Sequence, residues 1–212
     1  IGFEHKHPHH HLDVWNHTLL ALGLSEKDFL IRLVLLLHDI GKPHSYQDGE
    51  DGIRHFKGHG RVSAEITDNI MKRLRFDNET RNNVVELVYY HDATFEVGKK
   101  YVKRWLNKIG EEQFRRLLEV RKADILGQKP DYEQSRIDKV DNIEKILEEV
   151  LQEDECFSLK DLAVNGKDLM DIGYKSGRQL GAALQGLLDC VIGEEVNNNK
   201  EELLEMAKGW LK

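Results

Sequence analysis

Proline is scarce and cysteine nearly absent, with three and two residues in a chain of 212. So few prolines leave helices uninterrupted, and plentiful Leu, Glu and Lys favour them. Cys156 and Cys190 are widely separated with no C-x-x-C pair, which fits a reduced, cytoplasmic setting. No apolar run reaches membrane-spanning length and no secretory segment opens the chain, so no membrane partner is expected. Positive charge is not in excess either. The formal net charge of -7 argues against broad, nonspecific nucleic-acid affinity and leaves room only for a local basic patch. Nothing alternates with period two for long enough to read as a strand. Position 1 is Ile rather than Met, as in an excerpt of a longer protein.

What is present is helical. Hydrophobic residues make up 40% and charged residues 33%, a soluble globular balance able to bury a proper core. Leu12 to Leu22 and Asp28 to Asp39 read as apolar helices, the second led by Ser25 as N-cap. Residues 41–60 form a long Gly-rich polar loop, and loops of that length inside domains usually carry function. The next helix places Val62, Ile66, Ile70 and Leu74 on one face. Further helices follow over 79–91, 101–109 and 111–126, the last with the stripe Phe114, Leu117, Leu118, Arg121 and Asp124. A long amphipathic helix covers 133–153 before the chain turns to short glycine-punctuated helices. The expected class is all-α, with domains at 1–153 and 154–212.

The chemistry concentrates at His38-Asp39, which closes the apolar run Leu33 to Leu37. Desolvating an imidazole and a carboxylate side by side is expensive, and a divalent cation offsets it. His17, His59 and His91 also fall on or beside inward helix faces, and Asp124 continues a buried stripe where an aspartate is hard to excuse. Taken singly, each histidine reads as a core residue with one hydrogen bond, and Asp124 as half of a helix–helix salt bridge. Six such groups facing the interior of a helical bundle favour a metal site. Six of the eleven histidines lie between His5 and His17. His5, His7, His9, His10 and His11 read as a polar, exposed N-terminal segment rather than as ligands.

The ordered set His17, His38-Asp39 and Asp124 resembles the ligand pattern of the HD superfamily of metal-dependent phosphohydrolases. His59 and His91 stand where its dinuclear members place additional ligands. DVWNHTLLAL, LLHDIGKP, HFKGHGRVSAE, YYHD and KADILGQ further resemble the HD domain of bacterial CCA-adding tRNA nucleotidyltransferases. LAVNGKDLMDIGYKSGRQLGAALQGLLDCVI is similar to the C-terminal region that follows it in those enzymes. The resemblance implies an HD helical bundle over 1–153 and a small helical C-terminal extension over 154–212. The polymerising head of those enzymes, with its Gly-Ser phosphate loop and paired carboxylates, has no counterpart: no Gly-Ser dipeptide occurs and no D-x-D precedes a suitable strand. Nucleotide addition by these residues alone is therefore not expected. The doublet continues as Ile40-Gly41-Lys42 rather than Glu-Asp, which disfavours a guanosine-polyphosphate substrate.

Mixed imidazole and carboxylate ligation suits one or two ions of Mn, Fe, Ni, Co or Zn, with Mg a further candidate. His17, His38, Asp39 and Asp124 would hold one, His59 and His91 would help hold a second, and Asp39 would bridge. The candidate catalytic set is Asp39, Lys42, His59 and Arg121. Lys42 is either a phosphate contact or an ordinary solvated lysine, and Arg121 either a phosphate clamp or the salt-bridge partner of Asp124. His55 reads as an exposed loop histidine. The implied substrates are phosphomonoesters or cyclic phosphodiesters of nucleotides or RNA ends. The competing reading is a non-catalytic tRNA- or RNA-binding module, free-standing or part of a nucleotidyltransferase. For it, a capping box at Ser176 and Gln179 opens a helix flanked by Lys175 and Arg178, where backbone N–H groups favour phosphate. On the residues alone, Gly177 and Gly181 read as close helix packing.

Overall fold

The computed structural model describes residues 2–8, 10–130, 133–153 and 157–211, so His9 and Cys156 lie outside the described residues. The fold is all-α: helices alternate with turns, and the described strands are two residues each. The chain divides into two compact units, Ile1–Phe95 with Glu111–Glu144, and Glu96–Gly110 with Lys145–Lys212. Segments 96–110 and 145–153 group with the second unit.

In the first unit, α1 (Val14–Leu24), α2 (Phe29–Leu37), α3 (His59–Arg73) and α4 (Asn78–Tyr90) pack in turn, α2 lying against both α1 and α4 and α4 against α3. Three aspartates start three of these helices. Asp13, Asp28 and Asp77 accept hydrogen bonds from the backbone N–H groups of Asn16 (2.7 Å), Ile31 (2.9 Å) and Thr80 (2.8 Å). Each satisfies an otherwise orphaned donor, an effect of about 1 kcal/mol. Ser25 is therefore not the N-cap of α2. It closes α1 instead, donating its hydroxyl to Leu22 O at 2.8 Å.

The loop after α2 is more ordered than its glycines suggest. It holds a 3-10 turn at Lys42–His44 and a small hairpin, β1 (Gln47–Asp48) against β2 (Arg54–His55). Arg54 closes the hairpin with two hydrogen bonds to the Asp48 carboxylate, and its guanidinium stacks 4.9 Å from Phe3 and 4.5 Å from Tyr46. Arg54 N–H donates to Lys6 O at 2.9 Å, which ties the N-terminal segment down.

The buried face of α3 is not the Val62, Ile66, Ile70, Leu74 stripe; Leu74 is 59% exposed. Buried instead are His59, Gly60, Ser63, Ala64, Thr67 and Met71. Small groups are required there because two backbones come close. A Cβ on Gly60 would lie 2.9 Å from Tyr89 O, and one on Gly41 would lie 2.5 Å from Ser63 N. The helix α5 (Lys99–Leu126) breaks at Gly110, whose φ of 78° only glycine adopts without strain. Its second half buries Phe114, Leu117, Leu118 and Asp124 in the first unit, and α6 (Glu133–Gln152) follows.

The second unit gathers α7 (Gly166–Asp171), α8 (Arg178–Ile192) and α9 (Lys200–Trp210) around Leu169, Leu187, Leu188 and Leu203. Tyr174 donates its hydroxyl to Ala207 O at 2.8 Å. The capping box belongs to Asn165 and Asp168 at α7, whereas α8 starts at Gly177 with no side-chain cap. Nor does Gly181 serve close packing, since a Cβ there would meet nothing within 4 Å. Among the described residues no helix is long and apolar enough to cross a membrane.

Candidate metal centre

The six residues singled out by sequence converge in the first unit, all of them buried. The end of α2 carries His38 into the interior and Asp39 follows it; α1 supplies His17, the start of α3 His59, the end of α4 His91, and the last turn of α5 Asp124. They form two triads, His17, His38 and Asp124 on one side and Asp39, His59 and His91 on the other. Asp39 joins them. Its Oδ2 lies 3.3 Å from His38 Nε2 and 3.7 Å from His17 Nε2, and its Oδ1 lies 3.4 Å from His59 Nε2 and 3.6 Å from His91 Nε2.

Each of the four histidines is oriented the same way. Nδ1 donates to a backbone carbonyl: His17 to Gly127 (2.9 Å), His38 to Leu35 (2.7 Å), His59 to Phe56 (2.8 Å) and His91 to Val88 (2.7 Å). A carbonyl can only accept, so each ring is fixed in one orientation with Nε2 aimed inward. That arrangement is typical of imidazole ligands to a metal. His59 Nε2 and His91 Nε2 stand 3.0 Å apart, and His17 Nε2 stands 3.0 Å from Asp124 Oδ1. Facing lone pairs repel at such distances unless a proton or a cation lies between them. His38 Nε2 and Asp39 Oδ1 are buried without a directed hydrogen-bond partner, while Asp39 Oδ2 meets the ammonium of Lys42 at 2.7 Å. Leaving such groups unsatisfied costs roughly 1–3 kcal/mol each, and more when charged. The donor set and its orphaned atoms fit a divalent cation.

Electrostatics agree. Burial alone would depress the His38 imidazole, yet the adjoining carboxylates of Asp39 and Asp124, 3.3 and 3.6 Å from its Nε2, win and raise its pKa to about 10. Burial opposes ionisation of Asp39 and Asp124, but the adjoining imidazoles, with Lys42 beside Asp39, hold both carboxyls well below the usual carboxylate range. Burial pushes His91 down. The pocket demands positive charge and, without a cation, takes a proton at His38.

Lys42 is no solvated lysine: it is 6% exposed, with Nζ 2.7 Å from Asp39 Oδ2 and over the Phe56 ring. Arg121 lies within reach of Asp124 Oδ2 (3.6 Å) and donates to His91 O at 3.2 Å. Gln128 donates to Asp124 Oδ2 at 3.0 Å and in turn accepts from Arg136. Burial, followed by the facing charge of Arg121, lowers the Arg136 pKa below its ordinary value. A cavity of about 160 Å³ stands over the centre, lined by Asp39, His59, His91 and Asp124 with Lys42, Arg121 and Arg136 among its walls.

Sequence reasoning missed His5. It is 1% exposed rather than solvated; its Nδ1 donates to Leu12 O (2.9 Å), its Nε2 accepts from Lys42 Nζ (3.1 Å), and it stacks on His10 at 3.7 Å. His7 and His10 also line the cavity, while His11 and His55 are exposed as expected. No local periodicity marks His5, because the segment is not helical and what buries it is contact with residues far along the chain. Gln128 and Arg136 escaped notice because neither continues an apolar stripe: Gln128 lies just past the end of α5 and Arg136 in the first turns of α6.

Comparison with known proteins bears on these residues. An A-adding tRNA nucleotidyltransferase of Deinococcus radiodurans is 34% identical over 105 residues, 47% of this chain and 24% of that protein. A CC-adding tRNA nucleotidyltransferase of Thermus thermophilus is 29% identical over 199 residues, 91% of this chain and 44% of its own length. The chain thus spans less than half the length of these curated relatives. No solved structure matches. Residues 59–207 match the family of tRNA nucleotidyltransferase domain 2, and the chain belongs to that family.

Proposed function

We propose that this chain is a tRNA-related member of the nucleotidyltransferase lineage whose first unit is an HD-type, metal-dependent phosphohydrolase centre. The observation that supports hydrolysis most directly is the common orientation of His17, His38, His59 and His91, every Nδ1 on a carbonyl and every Nε2 facing Asp39 or Asp124. His17, His38, Asp39 and Asp124 would hold one ion; His59, His91 and Asp39 would hold a second. Bound divalent ions supply Lewis acidity that brings hydroxide within reach near pH ~7 and offsets charge on phosphoryl oxygens.

The remaining work falls to the protein. Asp39 spans both triads, so its two oxygens fix their spacing. Gln128 and Arg121 hold the Asp124 carboxylate by its outer oxygen, which leaves Oδ1 for the interior. Lys42, held by Asp39 and His5, presents an ammonium group to the cavity where a phosphate would lie. The substrates on this reading are phosphomonoesters or cyclic phosphodiesters of nucleotides or RNA ends. Elemental analysis of protein purified without chelators, then a phosphatase and phosphodiesterase panel, tests it: metal content with turnover supports the reading, and metal-loaded protein inert on every phosphoester sinks it.

The second reading is a tRNA-holding region that does not hydrolyse, and the comparisons favour it. The family match runs through α8 and α9 in the second unit, and both curated relatives are named for tRNA nucleotide addition. Binding of tRNA that weakens steeply with salt, in protein that takes up no metal, is the outcome that would replace hydrolysis with this reading.

A further inference from the structure

A second cavity, of about 170 Å³, adjoins the metal-facing one and has a different character. Phe95, Ile125, Val140 and Ile143 give it an apolar lining, and Thr94 and Lys139 are exposed at its rim. Arg121 and Arg136 line this cavity and also line the chamber over the metal ligands. Two guanidinium groups therefore line both the chamber over the metal-facing residues and a second pocket that is apolar on the side of Phe95, Ile125, Val140 and Ile143. Both arginines are partly buried; Arg121 already faces Asp124 Oδ2 (3.6 Å) and Asp92 Oδ1 (3.7 Å), whereas Arg136 donates to the neutral amide of Gln128, so its charge favours an anion in the cavity it lines. Guanidinium planes also stack on nucleobases, and an apolar floor favours a base over a bare sugar. At about 170 Å³ the pocket is smaller than the ~300–1,000 Å³ of sites that enclose drug-sized ligands, which suits one ring system rather than a chain of nucleotides.

We propose that Arg121 and Arg136 clamp the phosphate of a nucleoside phosphate, with its base seated in the pocket floored by Phe95, Val140 and Ile143. The inference rests on the phosphohydrolase reading for the role of the neighbouring chamber, and it adds to that reading a seat for the base and a residue, Arg136, that positions the phosphate. Arg136 has no part in metal ligation; it positions the substrate. In doing so it also reaches Asp124 through Gln128.

Calorimetry with three probes on the full chain, as purified, tests the proposal: adenosine 5′-monophosphate, ribose 5-phosphate and inorganic phosphate. The nucleotide is expected to bind about tenfold more tightly than either of the others. Thr94→Trp, which fills the exposed mouth of the apolar pocket, should remove that preference and leave phosphate affinity in place. Thr94→Met provides the same readout if the larger side chain disturbs folding, as judged by circular dichroism. Arg136→Gln should weaken all three probes together. Equal affinity of the wild type for the nucleotide and ribose 5-phosphate overturns the base pocket, as does an unchanged ratio in the folded Thr94 variant. Unaltered phosphate affinity in Arg136→Gln overturns the clamp. Metal content and turnover of p-nitrophenyl phosphate, measured on the same wild-type protein, report on the parent reading separately. Loss of those with the base preference intact refutes hydrolysis and keeps the pocket.

Discussion

His59 Nε2 and His91 Nε2 face each other at 3.0 Å, and both rings have already committed Nδ1 to a carbonyl. Neither has a proton to offer the other unless one ring is cationic. A divalent ion relieves that contact and also serves Asp39 Oδ1, 3.4 Å from His59 and 3.6 Å from His91. His91→Ala should therefore lower the metal content of the purified protein without emptying it, because the triad of His17, His38 and Asp124 does not depend on His91. Elemental analysis of the folded variant checks this. Complete loss of metal would mean one shared site rather than two.

Asp39→Ala removes the carboxylate that lies between the two triads, near Nε2 of His17 and His38 on one side and of His59 and His91 on the other. Hydrolysis of a generic phosphoester should fall to background while helical content by circular dichroism stays largely intact. Persistent turnover in this variant would refute the assignment of Asp39.

Gln128→Leu keeps the volume near Asp124 and removes the hydrogen bond to Oδ2 together with the acceptor for Arg136. Outer groups that hold a ligating carboxylate typically contribute 10–100-fold to metal affinity, and a loss of about that size is expected. Competition with a chromogenic chelator measures it. An unchanged affinity would show that Arg121 alone orients Asp124.

Much of this centre was legible in the sequence because its ligands sit on helices. A histidine or aspartate that continues a 3.6-residue apolar stripe must face inward, as His91 does after Val84, Leu87 and Val88, and Asp124 after Phe114, Leu117 and Leu118. Where periodicity was the wrong guide, the cause was backbone proximity. The inward face of α3 had to be small, with Gly60 against Tyr89 O and Ser63 against Gly41, so Ser63 and Thr67 are buried and Leu74 is left out. His5 was hidden because its burial depends on Lys42, Leu12 and the Arg54 clasp, contacts that no local pattern encodes.

The crowding at Gly60 yields a stability prediction. Gly60→Ala would set a Cβ 2.9 Å from Tyr89 O, against backbone that cannot rotate away. The two helices that carry His59 and His91 must then separate, at a cost of about 1–3 kcal/mol. Thermal unfolding should show a lower Tm together with reduced metal content. A stable variant with full metal would mean that α3 and α4 shift without cost.

Metal uptake should depend on pH in a direction fixed by His38. Without a cation its imidazole holds a proton up to about pH 10, as the Asp39 and Asp124 carboxylates outweigh the effect of burial. An incoming ion must displace that proton, so affinity should rise by about tenfold per pH unit between 7 and 9. The same shift acts on the metal-free fold. A group whose pKa is raised on folding stabilises the native state fully below its unfolded pKa of about 6.5, and that contribution is lost as pH rises through the folded value. Chelator-treated protein should therefore lose Tm steadily from pH 7 to 10, while metal-loaded protein, with His38 already deprotonated, should not. Both carboxyls stay ionised over this window, since their pKa values lie well below the usual range, so they add no slope. Calorimetric titration of metal in buffers of different ionisation enthalpy counts the proton directly. An uptake that releases none at pH 8 would place the proton elsewhere and remove His38 from the ligand set.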